Sequence, residues 1–496
     1  MKNLNKEQTK KILKSYLNKK ESYWTGLQKK RSMEIFKHAL KSTKAYPEFL
    51  KQQRVNPQDI KNYKYFSELP FIEKNNYFRA FNAKDTYSSK AITSEGLVFT
   101  STSGSTGHPT YFARNESIDQ QYSILADFFL NNSKRSSTLL INCFGMGVWI
   151  GGLITYQAFR YSSIRGYPVS ILTPGINKKE IFHALRELAP AFETVILCGY
   201  PPFIKDILDE AASEKINLKR LHLRLLFAAE SFTESFRDEV AKMAGIKNLY
   251  NDTLNIYGSA ELGAMAFETP GSIFIRRLAI ANPEVHKVIF SQHKLPTLAQ
   301  YNPQFASFEE YEGQILITAD NASPFVKYRI GDNGGIYRLS ELSKIFRSAG
   351  INLEKKAKTA RVTLLKLPFV YVYERNDFST TLYGLQIYPQ TIKKVIEQGL
   401  FSKYLTGKLT LETQYDKKQN QFLQIHLEVK NGIKISDKFS QACEKAIISQ
   451  LLKENSEYRE LSLMLSQKRT KPKISFWKYN HPTYFKTGIK QKWVIK

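Results

Sequence analysis

Over residues 1–50, aromatic and aliphatic residues are spaced among lysines in a pattern that predicts helices. From about residue 95 the pattern alternates. Short apolar runs at Gly96–Thr100, Thr138–Asn142, Val169–Thr173, Val195–Cys198 and Leu223–Phe227 are separated by longer segments with helical period. Glu116–Asn131, Lys178–Leu188 and Thr233–Met243 are such segments. Strands alternating with helices predict a parallel sheet and an α/β domain. One apolar stretch, Leu139 to Phe159, approaches membrane-spanning length. It holds Asn142, Gln157 and a cluster of glycines between Gly145 and Gly152, and so predicts a buried strand, a glycine turn and a helix.

The last quarter changes character. A turn-rich linker follows Tyr371, and a helix is predicted from Pro389 to about Leu400, with proline well placed at its start. Two alternating runs, Lys408–Tyr415 and Gln421–Val429, predict an antiparallel pair. A helix over Ser436–Lys453 and an apolar run Leu461–Leu465 come next. This is a small α+β domain of roughly 120 residues, a size that can fold alone. The boundary is placed at residues 374–377, leaving residues 1–373 as a large N-terminal domain and 374–496 as the small one.

The length of 496 residues suits two or three domains, and 42% hydrophobic residues suffice for a sizeable core. The formal charge of +28 favours polyanionic partners: nucleotides, nucleic acid, anionic lipid heads or an acidic protein. The excess is spread along the chain, with runs at Lys29-Lys30-Arg31 and at Lys355-Lys356 with Lys358 and Arg361. Cys143, Cys198 and Cys443 are too widely spaced for a disulfide framework or a zinc pattern. The opening residues are too polar for a signal peptide, which predicts a soluble cytoplasmic protein.

The segment richest in chemistry is Phe99-Thr-Ser-Thr-Ser-Gly-Ser-Thr-Gly-His-Pro-Thr110. An apolar run leads into a loop of hydroxyl side chains and two glycines. Glycines let the backbone approach an anion, and N–H groups with Ser and Thr hydroxyls can wrap phosphate oxygens. The spacing is not that of a Walker loop. Taken alone, the segment is equally a polar turn.

Thr102-Ser-Gly-Ser-Thr-Gly-His-Pro-Thr110 resembles the phosphate-binding loop of the acyl-adenylating enzymes, the superfamily of acyl-CoA synthetases, peptide-synthetase adenylation domains and luciferases. Other landmarks follow in that family's order. Leu225-Leu-Phe-Ala-Ala-Glu230 resembles the strand and turn that border the adenine. Asn255-Ile-Tyr-Gly-Ser-Ala-Glu-Leu-Gly263 resembles Y-G-x-x-E, and Lys327-Tyr-Arg-Ile-Gly-Asp332 resembles Y-R-x-G-D. Arg375-Asn-Asp377, with Gly384 and Tyr388-Pro389 after it, resembles the hinge motif. Tyr46-Pro-Glu-Phe49, Leu69-Pro-Phe-Ile-Glu-Lys74 and Pro324–Asp332 are similar to the phenylacetate-CoA ligase subgroup.

The resemblance implies an α/β fold with a large N-terminal domain of mixed and parallel sheets, packed with helices, and a small mobile α+β C-terminal domain. It implies an ATP-dependent ligase that activates an aryl or fatty acid as an acyl-AMP and passes the acyl group to a thiol, with CoA the leading candidate. A carrier-protein thiol, a protein cysteine or an amine is the alternative acceptor. A nucleotide-binding protein that has lost the reaction is the other alternative, and nucleic-acid binding is disfavoured. Ser101, Thr102, Ser103, Gly104, Ser105, Thr106 and Gly107 would hold the phosphates. Glu230, Tyr257 and Gly258 would border the adenine, and Asp332 would take the ribose hydroxyls. Arg375 would reach the ribose or phosphate, Asp377 would be the hinge, and Glu261 would position Mg²⁺. Lys490, in Tyr484-Phe-Lys-Thr-Gly-Ile-Lys490-Gln-Lys-Trp493, is the choice for catalytic lysine over Lys486 and Lys492. The basic runs become either solvated surface or a docking face for CoA or an acidic carrier.

Two positions depart from the subgroup. His108 stands where its members carry lysine, and Glu374 replaces the glycine before the hinge arginine. A neutral imidazole brings less positive charge to the phosphates and titrates near neutral pH. Phe144, Met146 and Trp149 either line an apolar acyl pocket or belong to the core.

Overall fold

The computed structural model describes residues 4–89, 91, 96–101, 110–132, 137–147, 150–290, 296–373, 379–397, 399–465, 467–485 and 494–495. The chain divides into two compact units. One comprises Met1–Ser101 with Tyr111–Arg375, the other Thr102–Thr110 with Asn376–Lys496.

In the larger unit the strands are β1 (Val98–Ser101), β2 (Tyr111–Arg114), β3 (Thr138–Asn142), β4 (Val169–Leu172), β5 (Thr194–Gly199), β6 (Leu223–Ala228) and β7 (Thr253–Ser259). They continue as β8 (Gly263–Phe267), β9 (Thr297–Gln300), β10 (Ala306–Tyr311), β11 (Gln314–Ala319), β12 (Phe325–Tyr337) and β13 (Phe369–Val372). Strands β1 and β2 form an antiparallel hairpin, with Thr100 opposite Phe112. Among the described residues the other eleven join one sheet, in the order β10-β11-β12-β13-β9-β8-β7-β6-β5-β3-β4.

That sheet is parallel from β4 to β7 and antiparallel from β7 to β10. The parallel half has the composition of strands buried on both faces, and every residue of β3 and β5 is buried. Helices Glu116–Asn131 and Ile150–Ile164 supply Tyr122, Phe129, Ala158 and Phe159 to the core that covers Leu140, Ile196, Leu226 and Leu254. At the antiparallel end, helices Glu21–Ser42 and Ala45–Gln52 bring Phe36, Tyr46 and Phe49 against Ile315, Ile317 and Tyr328.

Local signals set the helix ends. Asn5 and Gln8 form a reciprocal capping box at the first helix. Thr233 accepts from the Phe236 N–H to open Glu234–Ala244, which closes on Gly245 at φ 70°. Strand β13 lies between β9 and β12, and Gly334 of β12 faces Tyr371 so closely that a Cβ there would strike the Tyr371 carbonyl oxygen. No described helix is long and apolar enough to cross a membrane.

The smaller unit has a β14 (Thr380–Leu382)–β15 (Leu385–Ile387) hairpin. Its sheet has the order β18-β17-β16-β19, with β16 at Leu405–Tyr415, β17 at Gln421–Val429, β18 at Lys473–Trp477 and β19 at Val494–Ile495. The two long strands are antiparallel, as their alternation predicts. Ser436 caps the helix Asp437–Glu454. The helix from Pro389 ends at Ile396 rather than Leu400, and the run Leu461–Leu465 lies largely in the helix Ser456–Met464.

Candidate active site

In open α/β sheets, ligands gather beyond the carboxyl ends of the parallel strands, where the chain direction reverses. Here β7 is the last parallel strand, and the turn after it carries Glu261. Glu261 is 1% exposed. Gly258, before that turn, sits at a register shift between β7 and β8; a Cβ there would lie 2.7 Å from the Gly263 carbonyl oxygen. Any larger residue would push the turn apart.

Three segments distant in sequence hold this turn. The Thr100 hydroxyl on β1 donates to the Ala260 carbonyl at 2.9 Å, which ties the strand entering the hydroxyl-rich loop to the residue before Glu261. Asn321 donates from Nδ2 to the Glu261 carbonyl at 3.4 Å. Its Oδ1 accepts from the backbone N–H of Asn115, just past β2, at 3.1 Å and from that of Ala322 at 2.8 Å. One buried amide thus joins the exit of the hairpin to the Glu261 turn.

The third segment is Leu69–Lys74. Ile72 forms a parallel bridge with Tyr328 of β12, and the Arg329 N–H donates to the Ile72 carbonyl at 2.9 Å. Arg329 also pairs with Glu73 and lies 4.3 Å from the centre of the Phe71 ring. So fixed, the segment places Lys74 Nζ 2.5 Å from Glu261 Oε1. The Tyr328 hydroxyl donates to the same oxygen at 3.4 Å.

Tyr257, four residues before Glu261, lies on the same strand as the Gly258 bulge and donates its hydroxyl to Asp332 Oδ2. Asp332 is buried and lies within β12 rather than in a turn. Glu230 follows β6 and is 6% exposed, so it is not a surface carboxylate. Ala229 before it has φ 76°, in the left-handed region that favours glycine. Asn255 of β7 holds this turn by donating to the Glu230 carbonyl at 3.0 Å.

Beneath the site lies an ionic network. The Asn255 N–H donates to Glu268, which pairs with Arg237 at 2.7 Å. Burial alone would push the Glu234 carboxyl up, but Arg237, Arg276 and Arg277 outweigh it and hold it at about 2.

Glu230, Tyr257, Gly258, Glu261 and Asp332 are therefore connected through β7 and its neighbours, and the backbone of Ser101 ends β1 beside them. Thr102, Ser103, Gly104, Ser105, Thr106, Gly107, His108, Arg375, Asp377 and Lys490 lie outside the described residues, as do Lys486 and Lys492. Phe144 packs in the core, 5.2 Å from the Tyr200 ring, whereas Met146 is 41% exposed; Trp149 is not among the described residues. The sequence reading gave no role to Lys74, Thr100, Asn321 or Tyr328. Lys74 and Tyr328 lie inside quoted motifs, but only folding brings them to Glu261.

Among the described residues no group of three or more His, Cys, Asp or Glu side chains could cage a metal ion. A single buried carboxylate such as Glu261, here paired with Lys74, is compatible with Mg²⁺, which takes one or two protein carboxylates and completes its shell with phosphate oxygens and water.

The fold is that of the acyl-adenylate synthetases. A 2-hydroxyisobutyryl-CoA ligase in its thioesterification state, with 2-HIB-AMP and CoA, is similar at a TM-score of 0.62 and 14% identity, covering 97% of this chain and 91% of that one. The same ligase in its postadenylation state with R3-HIB-AMP gives a TM-score of 0.55 at 14% identity, with 97% and 91% covered. Its open conformation gives 0.53 at 14% identity, with 95% and 91% covered. No family model matches the chain, and no curated protein sequence matches it.

Proposed function

We propose that the chain is an AMP-forming acid–thiol ligase that activates an aryl or fatty carboxylic acid with ATP and passes the acyl group to a thiol, CoA first among candidates. One observation carries this reading. The root of the hydroxyl-rich loop, a buried carboxylate suited to Mg²⁺ and a Tyr–Asp pair suited to a ribose are tied together around one strand.

In the first step a carboxylate oxygen attacks the α-phosphorus. A C–O–P linkage forms, the bond from the α-phosphorus to the bridging oxygen breaks, and pyrophosphate leaves. Two anions meet, so alignment and neutralisation supply most of the catalysis. Ser101 to Gly107 would cradle the phosphates, Glu261 would hold Mg²⁺, which would screen phosphate charge, and Lys490 would bridge carboxylate and phosphate. Asp332 accepts the ribose hydroxyls while Tyr257 fixes its carboxylate. Glu230, Tyr257 and Gly258 border the adenine, and Arg375 reaches the ribose or phosphate. In the second step the thiol sulfur attacks the acyl carbon, the C–S bond forms, the thiol proton goes to solvent and AMP leaves. Asp377 marks the hinge about which residues 374–496 turn between the steps.

Pyrophosphate release from ATP and Mg²⁺ over a panel of aryl and fatty acids, with and without CoA, tests the reading. Release with some acid, lost in Lys490→Ala, is expected, together with CoA consumed to a thioester. Acid-dependent release without CoA consumption would move the acceptor to a protein thiol or an amine. No release with any acid, despite ATP binding, would replace the ligase with a nucleotide-binding protein.

A further inference from the structure

Resting on that reading, we propose that Lys74 is an exchangeable cation of the adenylation centre. In the nucleotide-free protein it neutralises Glu261; when Mg²⁺ and nucleotide bind, it gives up that carboxylate and neutralises the reacting phosphate and carboxylate instead.

Burial sets the requirement. Glu261 is 1% exposed, and a buried carboxylate without a counter-charge is costly. Lys74 meets that need at 2.5 Å, yet its side chain keeps 25% exposure. A purely structural pair in the same unit looks different: Arg237 and Glu268 are 0% and 1% exposed. Lys74 is therefore the member of its pair that reaches solvent.

Its mounting suits exchange. The backbone is pinned by the Ile72–Tyr328 bridge, by the Arg329–Glu73 pair and by Asn76, whose side chain accepts from the Glu73 N–H at 2.7 Å. The ammonium rides on a flexible four-carbon stem with three rotatable donors, so it can change partner while its root stays fixed. Glu261 Oε1 already accepts from both Lys74 and Tyr328. A hard dication drawing on the same carboxylate must compete with the ammonium, and that competition makes metal binding and lysine release reciprocal. Lys74 acts on the reacting anions themselves and in this sense is a catalytic residue, distinct from the lysine of the C-terminal segment.

Calorimetric titration of α,β-methylene-ATP at a series of Mg²⁺ concentrations tests this in wild type, Lys74→Gln, Lys74→Arg and Glu261→Gln. Removing the competitor is expected to lower the Mg²⁺ midpoint of analogue binding by about three- to tenfold in Lys74→Gln. The same variant is expected to form acyl-adenylate about tenfold more slowly, or worse, at saturating Mg²⁺. Lys74→Arg, which keeps the charge, should hold the wild-type midpoint, and Glu261→Gln should abolish the Mg²⁺ dependence. Metal affinity and rate moving in opposite directions is the signature that a brace for the fold would not produce. If Lys74→Gln is too unstable to assay, a Lys74→Arg midpoint shifted from that of the wild type by more than about threefold overturns the proposal. A Lys74→Gln variant that weakens Mg²⁺ binding in step with rate, or leaves both unchanged, overturns it alone. A wild type that binds the analogue with no dependence on Mg²⁺ overturns the ligase reading and this proposal with it.

Discussion

At the scale of single residues, the pairing of Tyr257 with Asp332 separates two kinds of contribution to nucleotide binding. Tyr257→Phe removes one hydrogen bond to a charged group, worth about 1.5–3 kcal/mol. The expected result is a KM for ATP raised about ten- to hundredfold with kcat little changed, read from acid-dependent pyrophosphate release. Asp332→Ala removes the carboxylate as well and should raise KM further. Asn321→Ala acts on the frame instead. It strips the half-buried Asn115 and the buried Ala322 N–H groups of this acceptor and should lower unfolding free energy by about 1–3 kcal/mol in a urea titration. Glu261 and Asp332 stand out in the bare sequence because each sits in a run of residues with one recognisable chemistry. Asn321 sits in no such run, and Lys74 and Thr100 lie in recognisable runs without a role that the run itself assigns. A lysine after Ile-Glu, a threonine in a strand and an asparagine in a turn are ordinary until contacts across the fold give them work. The Thr100 contact alone spans 160 residues.

At the scale of elements, the helix Ser456–Met464 carries a charge in an awkward place. Burial pushes the Glu457 carboxyl up to about 7, above the ordinary 4.5. The folded state thus holds its proton more tightly than the unfolded chain does. Its contribution to stability is fully present below pH 4.5 and is lost as pH rises through about 7. Glu457→Gln should flatten that part of the stability profile and raise Tm at pH 8 by about 2–8 °C, measured by thermal melts between pH 4 and pH 8. Glu234 runs the other way. With its carboxyl held at about 2, its contribution is present above about 4.5 and disappears as pH falls towards 2. Element boundaries were legible where a cap or a clean period marked them, as at Thr138–Asn142 and Gln421–Val429. They were not legible at Leu461–Leu465, where five residues suit either a strand or the end of a helix, and packing decides.

At the scale of the whole molecule, charge and thiols lead to two further expectations. A formal charge of +28 makes ATP affinity fall as ionic strength rises, and calorimetry in 50 and 300 mM salt should show weaker binding at the higher value. All three cysteines are buried, and burial pushes Cys143, Cys198 and Cys443 up, the last to about 12. The native protein should resist thiol-labelling reagents and melt at the same temperature with or without reductant. The position of β13 has a consequence during synthesis. Strands β9 and β12 meet only through it among the described residues, although β9 ends at Gln300 and β13 begins at Phe369. On the ribosome, the two halves of the great sheet therefore wait with open edges until residues 369–372 emerge. Those edges invite pairing with other chains in the interval. This late, four-residue keystone makes the chain's vulnerable period the time needed to translate the segment between β9 and β13, so slowing translation there should favour aggregation over folding even though the finished molecule is unchanged.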